Sequence, residues 1–299
     1  MSMADAQRPQ ASLAGSAQQI QPDRGRLDQP FCDGEALPAP SPENVRPDTL
    51  RVVTYNIHKG VQGVWPTHRL EIHNLQQAIA LLQADVVCLQ EVRKLNRKAE
   101  QQFANWPRQP QAEYLAPPGY QSVYITNAIT THGEHGNALL SRWPVVQHQH
   151  QDISDHRFEQ RGLLHSVIDV CGRHVHVIVV HLGLIGASRV RQVQQLHHFI
   201  DREVPTDAPL LVAGDFNDWS QKLHGMMADH GLHNANGVPG CLTYPARLPL
   251  TQLDHVYARG LERVRQFVPQ KEHLAGHVGM RNWARLSDHL PLVAEFSFS

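Results

Sequence analysis

Asp215 and Asn217 stand two positions apart where the apolar run Pro209–Ala213 ends at Gly214. Side chains alternate along an extended chain with a period of two, so both would project to the same side. A carboxylate beside an amide suits a metal ion, a water or a phosphate oxygen. The plainer reading is an Asx turn that closes a core strand. The pattern recurs, however, at the ends of other apolar runs. Asn56 follows Arg51–Tyr55, Glu91 follows Val86–Gln90, and His181 closes His174–Val180. Asp254 and His255 lie in Leu253–Tyr257, and Asp288 and His289 precede Leu290–Phe298. Gathered at one sheet edge, these residues would make a pocket of four carboxylates, two amides and at least two imidazoles.

Such a pocket has a definite chemistry. Hard carboxylate oxygens hold Mg²⁺ or Mn²⁺, an imidazole donates to anionic oxygen, and an Asp–His pair orients and charges its ring. Phosphoester hydrolysis uses all three. A zinc site would more readily recruit paired cysteines, and the four cysteines of this sequence have no paired spacing. Neither a Gly-x-Ser-x-Gly nucleophile elbow nor a Walker-type phosphate loop occurs. The chain holds 21 histidines, but most are scattered singly and read as surface or satisfied core residues.

The elements that must position these groups follow from hydrophobic patterning. Arg51–Tyr55 reads as a strand, residues 68–83 as a helix with Leu70, Ile72, Leu75, Ile79 and Leu82 near helical spacing, and Val86–Leu89 as a second strand. Residues 96–118 are polar and predict a surface excursion. Strand-like runs follow at 120–125, 136–141, 145–150, 162–170 and 174–181, and the short break at Cys171–Arg173 predicts an antiparallel hairpin. Helical periodicity returns with Ser188 as the expected N-cap and Val190, Val193, Leu196 and Ile200 on one face. A helix over about 220–230, strands near 253–257 and 264–268, and a final strand at 290–298 complete the pattern. Two mixed halves suit a sheet-on-sheet core flanked by helices.

With 299 residues, 41% hydrophobic and 18% charged, the chain can bury an ample core. Residues 1–48 carry seven prolines and no periodicity, which predicts a disordered Pro/Gln-rich leader before a single domain over 49–299. No stretch reaches the roughly 18 apolar residues of a spanning helix, and the N-terminus lacks a signal-peptide core, so the expected location is cytoplasmic. Cys32, Cys88, Cys171 and Cys241 lack paired spacing and read as reduced thiols. A formal net charge of −1 gives no general attraction to polyanions, leaving only a local basic groove open.

Seven segments in order carry a resemblance: Thr54-Tyr55-Asn56, Leu89-Gln90-Glu91, Gly136–Arg142 (GNALLSR), Val180-His181-Leu182, Gly214-Asp215-Phe216-Asn217, Leu253-Asp254-His255-Val256 and Ser287-Asp288-His289. Over about residues 50–299 the chain resembles the endonuclease/exonuclease/phosphatase, or DNase I-like, superfamily. That resemblance implies an α/β fold, a four-layered sandwich of two packed mixed β-sheets flanked by helices, and a divalent-metal phosphoester hydrolase, foremost a phosphodiesterase using in-line water attack. It further implies Glu91 as principal Mg²⁺ ligand, with Mn²⁺ as the alternative ion, assisted by Asn56 and Asp288. Asp254 and His289 become a carboxylate–imidazole pair, and either His289 or Asp215 activates water. Asn217 orients that water or binds a phosphate oxygen, and His181 donates to the scissile phosphate. His255 reads as structural, and Arg142, Arg161, Arg189 and Arg191 are weaker phosphate-binding candidates.

The substrate class stays open between nucleic-acid phosphodiesters and a lipid headgroup or other small phosphodiester, as in sphingomyelinase-like or GPI-lipid-remodelling enzymes. A binding module that has lost catalysis is the non-enzymatic alternative. Loops decide substrate, and three segments are candidates: His58–Trp65, Thr130–His135 and Lys271–Leu286, the last with His273, His277, Met280, Arg281, Trp283 and Arg285.

Overall fold

Two six-stranded mixed sheets stack face to face, and the polar ends of their strands meet at one margin. The computed structural model describes residues 49–63, 68–234, 241–270, 274 and 282–298. The leader expected over 1–48 lies outside the described residues, as do Trp65, His273, His277, Met280 and Arg281.

The strands are β1 (Thr49–Asn56), β2 (Val61–Gln62), β3 (Arg69–Leu70), β4 (Val86–Val92), β5 (Gln121–Thr130), β6 (Gly133–Ser141), β7 (Val145–Asp152), β8 (Gly162–Val170), β9 (Arg173–His181), β10 (Leu210–Asp215), β11 (His233–Asn234), β12 (Asp254–Arg259), β13 (Glu262–Phe267) and β14 (Leu292–Ser297). The helices are α1 (Ile72–Leu81), α2 (Arg97–Gln102), α3 (Gln111–Leu115), α4 (Gly186–Glu203) and α5 (Leu223–Asp229). The first sheet runs β13-β14-β1-β4-β6-β5 and the second β11-β12-β10-β9-β8-β7. In each sheet a parallel pair, β1 with β4 or β9 with β10, is joined through a helix, and the other large-sheet pairings are antiparallel. This is the four-layered α/β sandwich that the sequence predicts.

Alternation along the strands builds the layers. Leu50 and Val52 of β1, Val86 and Cys88 of β4, Val175, Val177 and Val179 of β9, and Leu211 and Ala213 of β10 fill the space between the sheets. The intervening Val53, Tyr55, Val87 and Leu89 pack outward with α1 residues Ile72, Leu75 and Ile79. On the other side Ile178, Val180, Leu210 and Val212 receive Val193, Leu196, Phe199 and Ile200 of α4. Each of these clusters is almost wholly removed from water, which makes apolar burial the main stabilising term.

Local differences from the sequence reading have physical reasons. Residues 96–118, expected as a surface excursion, hold two short helices, because Asn96 caps α2 through the Ala99 amide at 3.0 Å and Leu115 of α3 is fully buried. Helix α4 begins at Gly186, so Ser188 is not its N-cap; its hydroxyl instead donates to Asp155 at 2.6 Å. Arg69 and Leu70 pair with β2 and do not extend α1. Cys88, Cys171 and Cys241 are free thiols. Among the described residues no helix is long and apolar enough to cross a membrane.

Gly214 is where the second sheet is tightest. A Cβ placed there would lie 1.9 Å from the Val180 carbonyl oxygen, a backbone atom of the paired strand β9 that no rotamer change can move. Gly214→Ala is therefore expected to lower unfolding stability by about 1–3 kcal/mol, measured by urea denaturation. An unchanged midpoint would show that β10 and β9 can separate without cost.

Candidate active site

The residues that end the apolar layer between the sheets all belong to the same alternating faces. Asn56 continues Val52 and Thr54, His181 continues Val177 and Val179, and Asp215 continues Leu211 and Ala213. Asp254 shares its face with Val256 and Ala258. Both sheets thus send polar side chains into a common gap. In register, Asp215 lies beside His181 on one flank and Asp254 on the other.

The centre of the group is Oδ2 of Asp215, which is 1% exposed. It accepts from Asn56 Nδ2 at 3.1 Å, across the two sheets, and lies 3.5 Å from His181 Nε2 and 3.7 Å from His289 Nε2. Its other oxygen accepts the Asn217 backbone N–H at 2.9 Å. Asn217 adopts a left-handed φ of 49° and donates its side-chain amide to the Leu182 carbonyl at 3.0 Å. It therefore braces the end of β10 against the loop after β9. His289 Nδ1 sits 2.8 Å from Asp254 Oδ2, and the Tyr244 ring lies 4.8 Å from the imidazole. Ser287 ties this segment to β1 by donating to the Asn56 carbonyl at 2.6 Å.

Electrostatics follow from this geometry. Burial opposes charge on His289, yet the carboxylates of Asp254 and Asp215 on either side hold its pKa well above the ordinary histidine value. Burial raises Asp215, and the neighbouring Asp254 charge adds to that rise while His289 opposes it. His181 is driven down by burial and by the field of Arg161.

Glu91 and Asp288 form a second, more open part. Glu91, one residue before the end of β4, lies at a register shift, with a left-handed φ of 57° that breaks the strand's alternation. Its carboxylate holds the Lys59 ammonium at 2.8 Å, while Asp288 faces His58 Nδ1 at 3.1 Å. Burial disfavours the Glu91 anion, but Lys59, His181 and His58 overcome it and hold the pKa far below the usual carboxylate range. Asn56 Oδ1 accepts from the His58 amide at 3.1 Å.

Two groupings could hold a cation. Asp215, Asp254 and His289 offer donor atoms within 4.8 Å of one another, all buried. There, however, the imidazole already bonds Asp254, and the space is too dry for an ion such as Mg²⁺ that keeps several waters. Glu91 and Asp288 are hard oxygen donors on side chains 20% and 40% exposed, and Glu91 already carries a cation in the form of Lys59. That donor set fits a divalent ion better.

His255 belongs to the opposite face of β12. Fully buried, it contacts the rings of Phe216 and Tyr257 and shares Nδ1 with Asn234 Nδ2 at 2.9 Å. The arginine candidates also have structural tasks. Arg142 pairs with Asp85 at 2.9 Å, and Arg191 with Asp155 on the surface. Arg189 is buried and donates to the Gly183 and Leu184 carbonyls, and Arg161 pairs with Glu159 at 3.0 Å beside the Leu182 carbonyl. Trp283 covers the core, donating its indole N–H to the Gln270 carbonyl at 3.0 Å. Lys59, from a segment expected to select substrate, and Arg93, which the sequence reading passed over, flank Glu91; the signal available for Arg93 was its place just after a strand-end carboxylate.

With this geometry in place, the model of the endonuclease/exonuclease/phosphatase family matches residues 53–289. The uncharacterized protein YbhP of Escherichia coli strain K12 is 36% identical over 262 residues, which span 85% of this chain and 98% of that protein. Among solved structures, an endonuclease/exonuclease/phosphatase from Beutenbergia cavernae aligns with a TM-score of 0.62 at 22% identity, over 84% of this chain and 72% of that one. The human Nocturnin catalytic domain, solved with a bound sulfate anion, aligns with a TM-score of 0.60 at 21% identity, over 85% of this chain and 95% of that one.

Burial holds His255 near a pKa of about 3 in the folded chain, whereas an exposed histidine titrates near about 6.5. Between those values the unfolded chain binds more protons, so stability rises with pH and is lost as pH falls through the window. His255→Phe is expected to flatten that slope by up to about 1.4 kcal/mol per pH unit, read from urea midpoints at several pH values. Parallel slopes for variant and wild type would mean that His255 is charged in the folded protein.

Proposed function

We propose that this chain, which belongs to the endonuclease/exonuclease/phosphatase family, hydrolyses phosphodiesters with a divalent metal, Mg²⁺ as resident ion and Mn²⁺ as substitute. The family supplies the coarser fact, since its superfamily consists of phosphoester hydrolases. The observation that carries the finer reading is the convergence of Asn56, His181 and His289 on Asp215 Oδ2, with Asp254 behind the imidazole. An isolated Asx turn has no use for three donors, two of them imidazoles, gathered from separate strands and loops.

Glu91 is the principal ligand in this proposal, with Asp288 and the Asn56 amide oxygen beside it. A bound divalent ion would neutralise phosphate charge as the water attacks. His289, flanked by two carboxylates, stays protonated and cannot accept a proton; it donates to the phosphoryl oxygens that gain charge. His181 donates from the other side. Asp215 is then the group that takes the proton from the attacking water, its basicity raised by burial. Asn56 and the Asn217 backbone amide hold that carboxylate in place. Because Asn217's side-chain amide already serves the Leu182 carbonyl, its proposed part is to position Asp215.

This assignment separates the variants. His289→Ala and Asp215→Asn are each expected to lower kcat on bis(p-nitrophenyl) phosphate by about 10²–10⁴-fold, while circular dichroism reports an intact fold. Full activity in both would place the chemistry elsewhere. Chelation should abolish activity and added Mg²⁺ or Mn²⁺ should restore it, and Glu91→Gln should raise the metal concentration needed for half-maximal rate by at least tenfold. Turnover indifferent to chelator would remove the metal from the account.

A further inference from the structure

Beside the proposed centre lies a cleft of about 330 Å³ that begins at Lys59 and runs beneath the β5–β6 hairpin. Two of the three segments expected to select substrate, around Lys59 and at Thr130–His135, form facing parts of its wall. Arg93, His68 and helix α2 with its flanking Asn96 and Phe103 supply the rest. The lining is strongly one-signed. Lys59, Arg93 and Lys98 are cationic, His132 and His135 also line it, and the carboxylate among the described lining residues is Glu134, which accepts from Thr126 Oγ1 at 2.8 Å.

Arg93 is the distinctive member. It follows β4 directly, is half-buried, and its guanidinium makes no hydrogen bond or ion pair with any described residue. Arg142, Arg161, Arg189 and Arg191, by contrast, have each found an acceptor. Arg93 is only partly buried, so its guanidinium remains within reach of solvent and of an incoming acceptor. The field of Glu91 reaches Arg93, but that carboxylate is taken by Lys59. Planar guanidinium groups match phosphate oxygens bidentately, and Lys98 on exposed α2 adds charge.

We propose that this cleft binds a second phosphate of the substrate, next to the one that is cut. The proposal rests on the phosphodiesterase reading and narrows its substrate class. A simple diester would occupy the centre alone, whereas a substrate with two phosphates would fill both places. Such a second phosphate comes either from an adjoining nucleotide or from a small bisphosphorylated molecule, and both present the same group to Arg93. The overall charge of −1 does not argue against this, because the basic residues are drawn from separate parts of the chain into one local groove.

The experiment compares binding of thymidine 3′,5′-bisphosphate, 1,3-propanediol bisphosphate, thymidine 3′-monophosphate and thymidine 5′-monophosphate to the full chain by calorimetry in Mg²⁺. At least one bisphosphate is expected to bind tenfold or more tightly than either monophosphate. In Arg93→Gln that ratio should fall to within about threefold, and in Lys98→Gln, an exposed position that spares the fold, it should fall in the same direction. Equal tightening with both bisphosphates assigns recognition to the phosphates alone, and tightening with the nucleotide alone assigns the source to a nucleic-acid unit; either supports the subsite. Bisphosphates no tighter than monophosphates, or a ratio unchanged in both variants, would overturn it. Because these are binding readouts, a wild-type protein that bound the bisphosphates yet turned over no diester in Mg²⁺ would sink the catalytic reading and leave the subsite standing.

Discussion

A carboxylate buried between two β-sheets organises this structure. Asp215 is almost fully shielded from water, and an ionised group in that position is tolerated only when hydrogen bonds and opposite charge surround it. Asn56 reaches it from the first sheet, the Asn217 backbone from its own strand, and His181 and His289 from flanking segments. These contacts fix how the two sheets align at this margin. They also explain why the residues that end the apolar strands are polar: the inter-sheet core stops where charge begins.

The same constraint divides the site. Dry, coupled groups around Asp215 can hold and move protons, while Glu91 and Asp288 stand nearer solvent, where an ion can keep its waters. The Lys59 ammonium on Glu91 is a cation already in that position, and it lines the cleft in which Arg93 has no acceptor among the described residues. A region rich in positive charge beside a region that concentrates carboxylates is a coherent arrangement for an anionic substrate held over a cationic cofactor.

Much of the framework was legible in the residues. Period-two alternation in Val52–Asn56, Val177–His181 and Leu211–Asp215 is enough to expect polar groups on one face, and the antiparallel turn at Cys171-Gly172 announced the β8–β9 hairpin. His255 on the opposite face from Asp254 follows from the same rule. Other features depend on contacts that no local pattern contains. Ser188 has the chemistry of an N-cap, yet the chain enters α4 two residues earlier and Asp155 claims its hydroxyl. Glu91 departs from alternation through a left-handed backbone at a register shift, and Arg93 was unremarkable until tertiary structure left it in a cleft without a partner among the described residues.

The most direct test is the place of the metal. Anomalous diffraction from crystals grown with Mn²⁺ should show a peak within coordination distance of the Glu91 carboxylate, with the Lys59 ammonium displaced and the Asp254–His289 pair intact. A peak enclosed by Asp215, Asp254 and His289, with Lys59 still seated on Glu91, would contradict the division between metal and proton-handling groups on which this account depends.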